Sequence, residues 1–318
     1  GAFPGAPARP AASCAFAPYD IGNVQSIGYD VVMNRPKSNA YRAPGSPIAA
    51  FAVESTIDEL ARELGIDPLE FRLQNAAKEG TRAAYGPTFR KVGFVETLEA
   101  AQKHPHYSAP LGPNQGRGVA SGFWFNVGGE SSAQIHINED GTVTVITGHP
   151  DIGGSRASMV NITAEMFGID YHLVRAQIGD TNAIGISATT GGSRVTFSAG
   201  MAVTQVAEKV IQTLRERAAK IWDIEVDAVV WENGEARPAG SNAGDFEPLS
   251  LADIAAKAAA TGGPITGQIS INAQGAAPAF ATHICDVEVD PDTGRVEILR
   301  YTAMQDVGRA IHPSYVEG

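Results

Sequence analysis

Three hairpin signals, set among stretches of helical periodicity, place the tightest limit on what this chain can fold into. Asp140-Gly141 joins an alternating run (Ala133, Ile135, Ile137) to Thr142–Thr147. Asn233-Gly234 marks a second tight reversal, and Asp290-Pro291-Asp292-Thr293-Gly294 separates Phe280–Val289 from Arg295–Met304. Elsewhere the apolar spacing is helical. Phe51, Ala52, Ile57, Leu60, Ala61 and Leu64 share a face that stops at Gly65, and Asp67-Pro68 starts a helix carrying Leu69, Phe71 and Leu73 to near Gly80. Further helices are expected over 156–167 and from Phe197 to Trp222, the latter with Val206, Val210, Leu214, Ala218 and Ile221 on one face. A strand over Leu173–Ile178 lies between them, and Ser250 caps a short Ala-rich helix closed by Gly262-Gly263. Hairpins among helices give an α+β class with mixed sheets and packed helices, not a pure doubly wound sheet.

Composition narrows the reading. Aromatic residues are only 7% and 35 of 318 residues are glycine, so the interior must be built from Ala, Val, Ile and Leu between many tight turns. Residues 1–40 are Pro/Ala/Gly-rich, strand-like over 21–32, and read as an irregular entry segment. Pro, Gly and His scattered over 81–117 place a domain boundary there, dividing the chain into 1–110 and 111–318. A net charge of −11 leaves no basic stripe for nucleic acid, and no apolar run reaches the ~20 residues of a membrane helix. Cys14 and Cys285 alone exclude a disulfide framework and a four-cysteine cluster, and they fit a reducing, cytoplasmic setting. Gly1-Ala2-Phe3-Pro4 has neither a Met nor a signal-peptide pattern, so a preceding segment is expected.

Two glycine turns stand out because each opens a helix: Gly148-His149-Pro150-Asp151-Ile152-Gly153-Gly154-Ser155-Arg156, and Thr189-Thr190-Gly191-Gly192-Ser193-Arg194. A helix start offers unpaired N–H groups and partial positive charge, and glycine lets an anion approach the backbone. Each turn is open to two readings, a simple cap or a ligand-binding turn. Neither matches the phosphate-loop pattern with its Lys, nor GxGxxG. His104-Pro105-His106 reads as a surface pair without further metal ligands, Glu130 as a solvated loop acid, and the 290–294 turn as a hairpin and not a calcium loop. His149 and His283 are open between ordinary buried polar groups and functional ones.

Ala40-Tyr41-Arg42-Ala43-Pro44-Gly45-Ser46-Pro47, then Phe51 to Ala61, resembles the molybdenum-binding subunit of the xanthine dehydrogenase/aldehyde oxidase family. So do Leu64 to Arg72 with Asn75, Asp151 to Ser155 with Ala164-Glu165, and Thr190 to Val195. Cys285 to Gly294 and Asp306 to Gly318 continue the match in the same order. The resemblance implies the fold of that family's molybdopterin-binding domains, with 1–110 and 111–318 each part of one. It also implies oxidative hydroxylation of an aldehyde, purine or N-heterocycle with water as the oxygen source, on a molybdenum–pyranopterin. The cytosine dinucleotide form is usual in multi-subunit bacterial members, and [2Fe–2S] clusters and FAD sit on partner subunits or domains.

Carried onto this sequence, Ile152, Gly153, Gly154 and Ser155 form the first cofactor loop and Gly191, Gly192, Ser193, Arg194 and Val195 the second. Arg42 and Ala43 approach the metal end. Phe123 stacks on substrate, with Pro44 and Trp124 beside it, while the alternative for Phe123 is an ordinary core aromatic. No residue is assigned as a metal ligand. The family's Gly-Gln-Gly is replaced by Gly153-Gly154-Ser155, Ala43 argues against the carbon-monoxide branch, and Pro44 replaces a common Phe. The family's preceding glycine-rich segment and its base Glu fall outside this sequence, which reads as truncated at both ends. No catalytic residue is therefore expected within it, and the isolated chain is expected to be inactive. Two other readings stand beside this one, a non-catalytic scaffold of the same fold and an unrelated phosphate-binding α/β protein.

Overall fold

A computed structural model describes residues 7–36, 39–275 and 277–317; Gly1-Ala2-Phe3-Pro4 and Gly318 lie outside them. In chain order the first elements are α1 (Ala8–Cys14), α2 (Ser46–Leu64), α3 (Pro68–Gln74), α4 (Phe94–Lys103), α5 (Pro105–Ser108) and β1 (Gln115–Trp124). Next come β2 (Gly129–Ile137), β3 (Val143–Thr147), α6 (Ser155–Phe167), β4 (Val174–Ile178), α7 (Thr181–Ile184) and α8 (Gly200–Trp222). The chain closes with β5 (Val229–Glu232), β6 (Glu235–Pro238), β7 (Leu249–Ser250), α9 (Leu251–Ala256), α10 (Ala258–Thr261), β8 (Thr266–Ala273), β9 (Ala279–Val289), β10 (Val296–Asp306) and α11 (Pro313–Glu317). The class is α+β, as the hairpins required.

Two compact units form, and neither is contiguous. The described residues up to 126 join 277–309, and 127–275 join 310–317. The expected boundary at 110/111 therefore falls inside the first unit. The reason is strand pairing: β9 lies between β1 and β10 in one antiparallel sheet, so a strand from late in the sequence completes a sheet begun at Gln115.

In the first unit, helices α2, α3 and α4 pack on one face of that sheet around Leu69, Phe94, Leu98, Phe123, Phe280 and Ile284. Asp67 caps α3 as its sequence requires, its Oδ1 accepting from the backbone N–H of Leu69 (2.9 Å) and Glu70 (3.0 Å). The helix ends at Gln74, earlier than expected. Beneath it lies a buried ion pair. Arg72, fully buried, donates from Nε to Glu54 Oε2 at 3.0 Å and pairs with Asp58 at 2.7 Å. Glu54 also accepts from Tyr19 Oη (2.5 Å) and the backbone N–H of Ser121 (2.6 Å), while Arg72 donates to the carbonyl of Val119 at 3.1 Å. One network thus joins the entry segment, α2, α3 and β1.

A second buried carboxylate, Asp286 on β9, faces two arginines. Arg117 reaches it with two N–H groups (2.7 and 2.8 Å) and Arg300 with one (2.7 Å). His106 Nε2 lies 3.1 Å away, and its Nδ1 is 2.7 Å from Thr302 Oγ1. His106 is therefore buried, contrary to the surface pair expected from His104-Pro105-His106. Three corrections concern secondary structure. Residues 21–32 form no strand, and among the described residues no ladder partner pairs with them; Ile27, Tyr29 and Val32 are exposed. The entry segment contains α1, and α4 occupies the stretch read as a boundary.

The second unit has a four-stranded sheet in the order β4-β3-β2-β8, antiparallel except for the β3/β4 pair. Helices α6 and α8 cover one face. Val203, Val206, Val210, Leu214 and Ala218 of α8 are fully buried there with Ile135, Val143, Val145 and Phe167. A smaller hairpin, β5–β6, turns at Asn233-Gly234 and adds β7 at its edge. Glu130 lies on β2 and not in a loop, though it remains exposed.

Two outcomes follow for the first unit. Arg72→Ala strands a buried carboxylate and is expected to cost about 3–5 kcal/mol in urea denaturation, as for other broken buried pairs. Asp286 has its carboxyl pulled down to about 2, chiefly by the Arg117 hydrogen bonds against the opposing effect of burial. Its unfolded value is about 3.9, so the unfolded chain takes up the proton first. The stability Asp286 contributes is present above about pH 4 and is lost as the pH falls toward 2. Asp286→Asn should flatten the acid limb of the pH–stability curve.

Candidate functional site

The expected residues fall in the two units, and each group has its own geometry. In the first unit, Arg42 (φ 28°) and Ala43 (φ 48°) are consecutive non-glycine residues in the left-handed region, ahead of Gly45. Such backbone persists only where its surroundings impose it, and it concentrates at functional sites. Ser46, the first residue of α2, donates from Oγ to the carbonyl of Phe123 at 3.1 Å, which ties this loop to the end of β1. Pro44 is half-buried and Arg42 is exposed.

Phe123 itself is 6% exposed. Its ring packs among Tyr85, Phe89 and Phe280, with centroids 5.1–5.8 Å away, so it occupies the core position that was the alternative to stacking on substrate. The physical cause is alternation on β1, which turns Val119, Ser121 and Phe123 inward. Trp124, the next residue, points to the other side, stacks on Phe125 at 4.7 Å, and has no hydrogen-bond partner for its Nε1 among the described residues.

In the second unit the two glycine turns come together. Segment 186–190 runs beside the start of β2: Ala188 N–H donates to Glu130 O (2.9 Å), and Ser132 Oγ donates to Ile186 O (2.8 Å). Gly192 O accepts from Val127 N–H at 3.1 Å. His149, at the root of the first turn, is 2% exposed; its Nε2 lies 3.0 Å from Ser131 Oγ and its Nδ1 3.4 Å from Thr190 Oγ1. Burial, with the positive charge of Arg194 adding to it, lowers the imidazole pKa and favours the neutral ring.

The turns differ in what they leave open. In the first, Gly153 (φ 63°) and Gly154 (φ 78°) are left-handed, and α6 starts at Ser155. A Cβ on Gly153 would meet nothing within 4 Å, whereas one on Gly154 would sit 2.2 Å from Tyr315 Cε2. Ile152 is 63% exposed, and Ser155 is buried. Arg156 is held by Asp151, with Nε 2.8 Å from Oδ2, and both the backbone and side-chain donors of Arg156 lower the Asp151 pKa.

In the second turn, Gly192 (φ 70°) is crowded by Val127 Cγ2, which a Cβ would approach to 2.6 Å. Gly191 is not crowded. It is exposed, a Cβ there would meet nothing within 4 Å, and its backbone is not left-handed, so the fold does not demand glycine at this position. Ser193 is left-handed (φ 57°), and Val195 opens a π-helical turn that runs into α8. Arg194 donates from Nε to Gly191 O at 3.2 Å and has no ion pair among the described residues. The second turn thus presents open backbone and a guanidinium with no carboxylate partner among the described residues, ahead of a 23-residue helix. That donor set suits an anionic group such as a phosphate.

Residues 95–318 and 2–76 each match a family model described as a molybdopterin cofactor-binding domain. The chain belongs to the molybdopterin cofactor-binding family. It is 30% identical over 295 residues to the aldehyde oxidoreductase molybdenum-binding subunit PaoC of Escherichia coli (strain K12), covering 88% of this chain and 38% of that protein. It is 32% identical over 314 residues to the putative xanthine dehydrogenase molybdenum-binding subunit XdhA of the same organism, covering 90% and 40%. The chain therefore spans about two fifths of the length of these relatives. In fold it is similar to the aldehyde oxidoreductase from Desulfovibrio desulfuricans ATCC 27774, with a TM-score of 0.78 and 22% identity over 100% of this chain and 34% of that one. Quinoline 2-oxidoreductase from Pseudomonas putida 86 gives the same TM-score and identity over 98% and 43%.

Sequence reasoning had both turns but not their junction. Ser131 and Val127 carry no signal in the sequence, and that of His149 is ambiguous between a buried polar group and a functional one. Ser131 reaches the junction because the β2–β3 register, with Ala133 opposite Thr147, continues two residues further and sets Ser131 opposite His149; the turn at Asp140-Gly141 announces the hairpin but not this contact. A structural comparison separates the glycines. Gly192→Val should lower the melting temperature through the clash with Val127 and the left-handed backbone, costing about 1–3 kcal/mol. Gly191→Val should leave it within about 0.5 kcal/mol of the parent. Differential scanning fluorimetry of the two variants checks both.

Proposed function

We propose that this chain supplies part of the cradle for a molybdenum–pyranopterin cofactor in a hydroxylase acting on an aldehyde, purine or N-heterocycle, with water as the oxygen source. The observation that carries this is the second turn, where Gly191 is open though the fold does not need a glycine there and Arg194 beside it has no ion pair among the described residues. When bound, the cofactor supplies the two-electron oxidation at molybdenum. The residues of this chain bind and orient it: Gly191, Gly192, Ser193 and Val195 offer backbone, Arg194 offers positive charge, and Ile152, Gly153, Gly154 and Ser155 form the companion turn. Arg42 and Ala43 stand toward the metal end. Pro44 and Trp124 face the substrate, while Phe123, placed in the core, holds the end of β1 on which Trp124 sits.

No residue of this chain is proposed as the catalytic base. We place the redox centres on partner subunits or domains, because Cys14 and Cys285 are too few to supply the four ligands of a [2Fe–2S] cluster. Iron–sulfur and FAD subunits or domains, together with the remaining part of the molybdenum subunit, are the proposed partners. The cytosine dinucleotide is the proposed pterin form and the cytoplasm the proposed setting. Among the described residues no helix is long and apolar enough to cross a membrane.

A scaffold of the same fold without turnover is the second reading. It draws on the first turn, where Tyr315 closes over Gly154 and Asp151 neutralises Arg156. Metal content separates the two. In the complex purified with its partners, Gly191→Val and Arg194→Ala should each lower molybdenum per chain about tenfold or more, the scale of a charge-assisted hydrogen bond. The melting temperature of the Gly191→Val complex should not move. Parent-level molybdenum in Gly191→Val would overturn the assignment, and a molybdenum-free parent complex would establish the scaffold reading.

A further inference from the structure

The junction between the two turns is made by one side chain that the proposed function does not require. His149 belongs to the first turn by sequence, yet its imidazole lies behind the second, between Ser131 on β2 and Thr190, the residue before Gly191. Both the ring and Ser131 are buried, at 2% and 0% exposure. Gly148 adds close packing to the same contact, since a Cβ there would sit 2.6 Å from Ser187 Oγ. A neutral imidazole has one donor and one acceptor, which suits a bridge between two hydroxyls, because each hydroxyl can play either part.

We propose that His149 is a positioning residue that locks the second glycine turn to the first, holding Thr190 so that the Gly191 backbone keeps one orientation toward its anionic ligand. This rests on the cofactor reading for the identity of the ligand, but not for the coupling itself. Besides the bridge, the second turn is tied at its ends by the Ala188–Glu130 and Val127–Gly192 backbone bonds, which loosen when the turn between them moves, and Thr190 and Gly191 have no other hydrogen bond to β2 or the first turn among the described residues. An unpinned turn samples several orientations, and ligand affinity falls by the fraction of time it spends outside the binding one.

Amide hydrogen exchange on the cofactor-free chain tests the coupling. The two reporters are the N–H of Ala188, held by Glu130 O, and that of Val127, held by Gly192 O. In His149→Leu both should exchange about tenfold faster, the scale of one lost hydrogen bond, while the core of α8 keeps its protection. Thr190→Val removes only the far hydroxyl, and it should reproduce the effect even if His149→Leu fails to fold. His149→Asn keeps a polar atom near the Nδ1 position and should restore protection; His149→Gln, which keeps only the Ser131 side, should not. Unchanged exchange at Ala188 and Val127 in Thr190→Val overturns the coupling, and so does a uniform rise that includes α8. Molybdenum content of the same variants in the complex is read separately. Faster exchange with unchanged molybdenum upholds the lock and counts against the turn as a cofactor site, whereas faster exchange with a matching molybdenum loss supports both.

Discussion

The carboxylate of Glu54 holds the first unit together. It is buried, and it accepts from a guanidinium, a phenol and a backbone amide that come from three separate parts of the chain: Arg72, Tyr19 and Ser121. A buried charge is tolerated only when its hydrogen-bonding capacity is filled, so α2, α3, the entry segment and β1 must meet in one arrangement. Phe123 faces the core two residues after Ser121, on the same side of β1, and Ser46 closes the loop of Arg42 and Ala43 onto its carbonyl. The left-handed backbone at Arg42 and Ala43 is therefore braced from α2 on one side and β1 on the other.

The second unit solves a different problem, that of keeping two polar glycine turns ordered beside an apolar sheet. Its means are hydroxyls on and beside β2. Ser131, Ser132 and Thr190 give short side chains that bond across segments, and His149 spans the gap between two of them. The glycines divide by what the fold asks of them. Gly154 and Gly192 are required by backbone conformation and by a neighbour's side chain, whereas Gly191 is required by neither. A position that the fold leaves free but the sequence keeps small is the better pointer to a ligand.

The elements that the sequence made legible were those with local signals. Asp67-Pro68 predicted its helix start and the structure shows the cap; Asp140-Gly141, Asn233-Gly234 and Asp290–Gly294 all turn hairpins; α8 buries Val206, Val210, Leu214 and Ala218 as its spacing demands. The elements that were missed lack such a signal. One face of β1 is Gly116, Gly118, Ala120 and Gly122, which removes the apolar alternation that marks a strand. Residues 21–32 show the reverse, since their strand-like composition has no ladder to join.

What the amino-acid sequence determined by itself was the α+β class, the helix caps, the hairpins and the two Gly-Gly-Ser-Arg turns, because each depends on residues within a few positions of one another. The tertiary structure alone decided that β9 completes the sheet of β1, that His106 is drawn inside by Asp286, and that Phe123 faces the core. It alone decided that His149 reaches across to Thr190. Each of these joins groups separated by strand pairing or by the folding-back of a turn, and local preferences carry no information about which distant partner a side chain will meet.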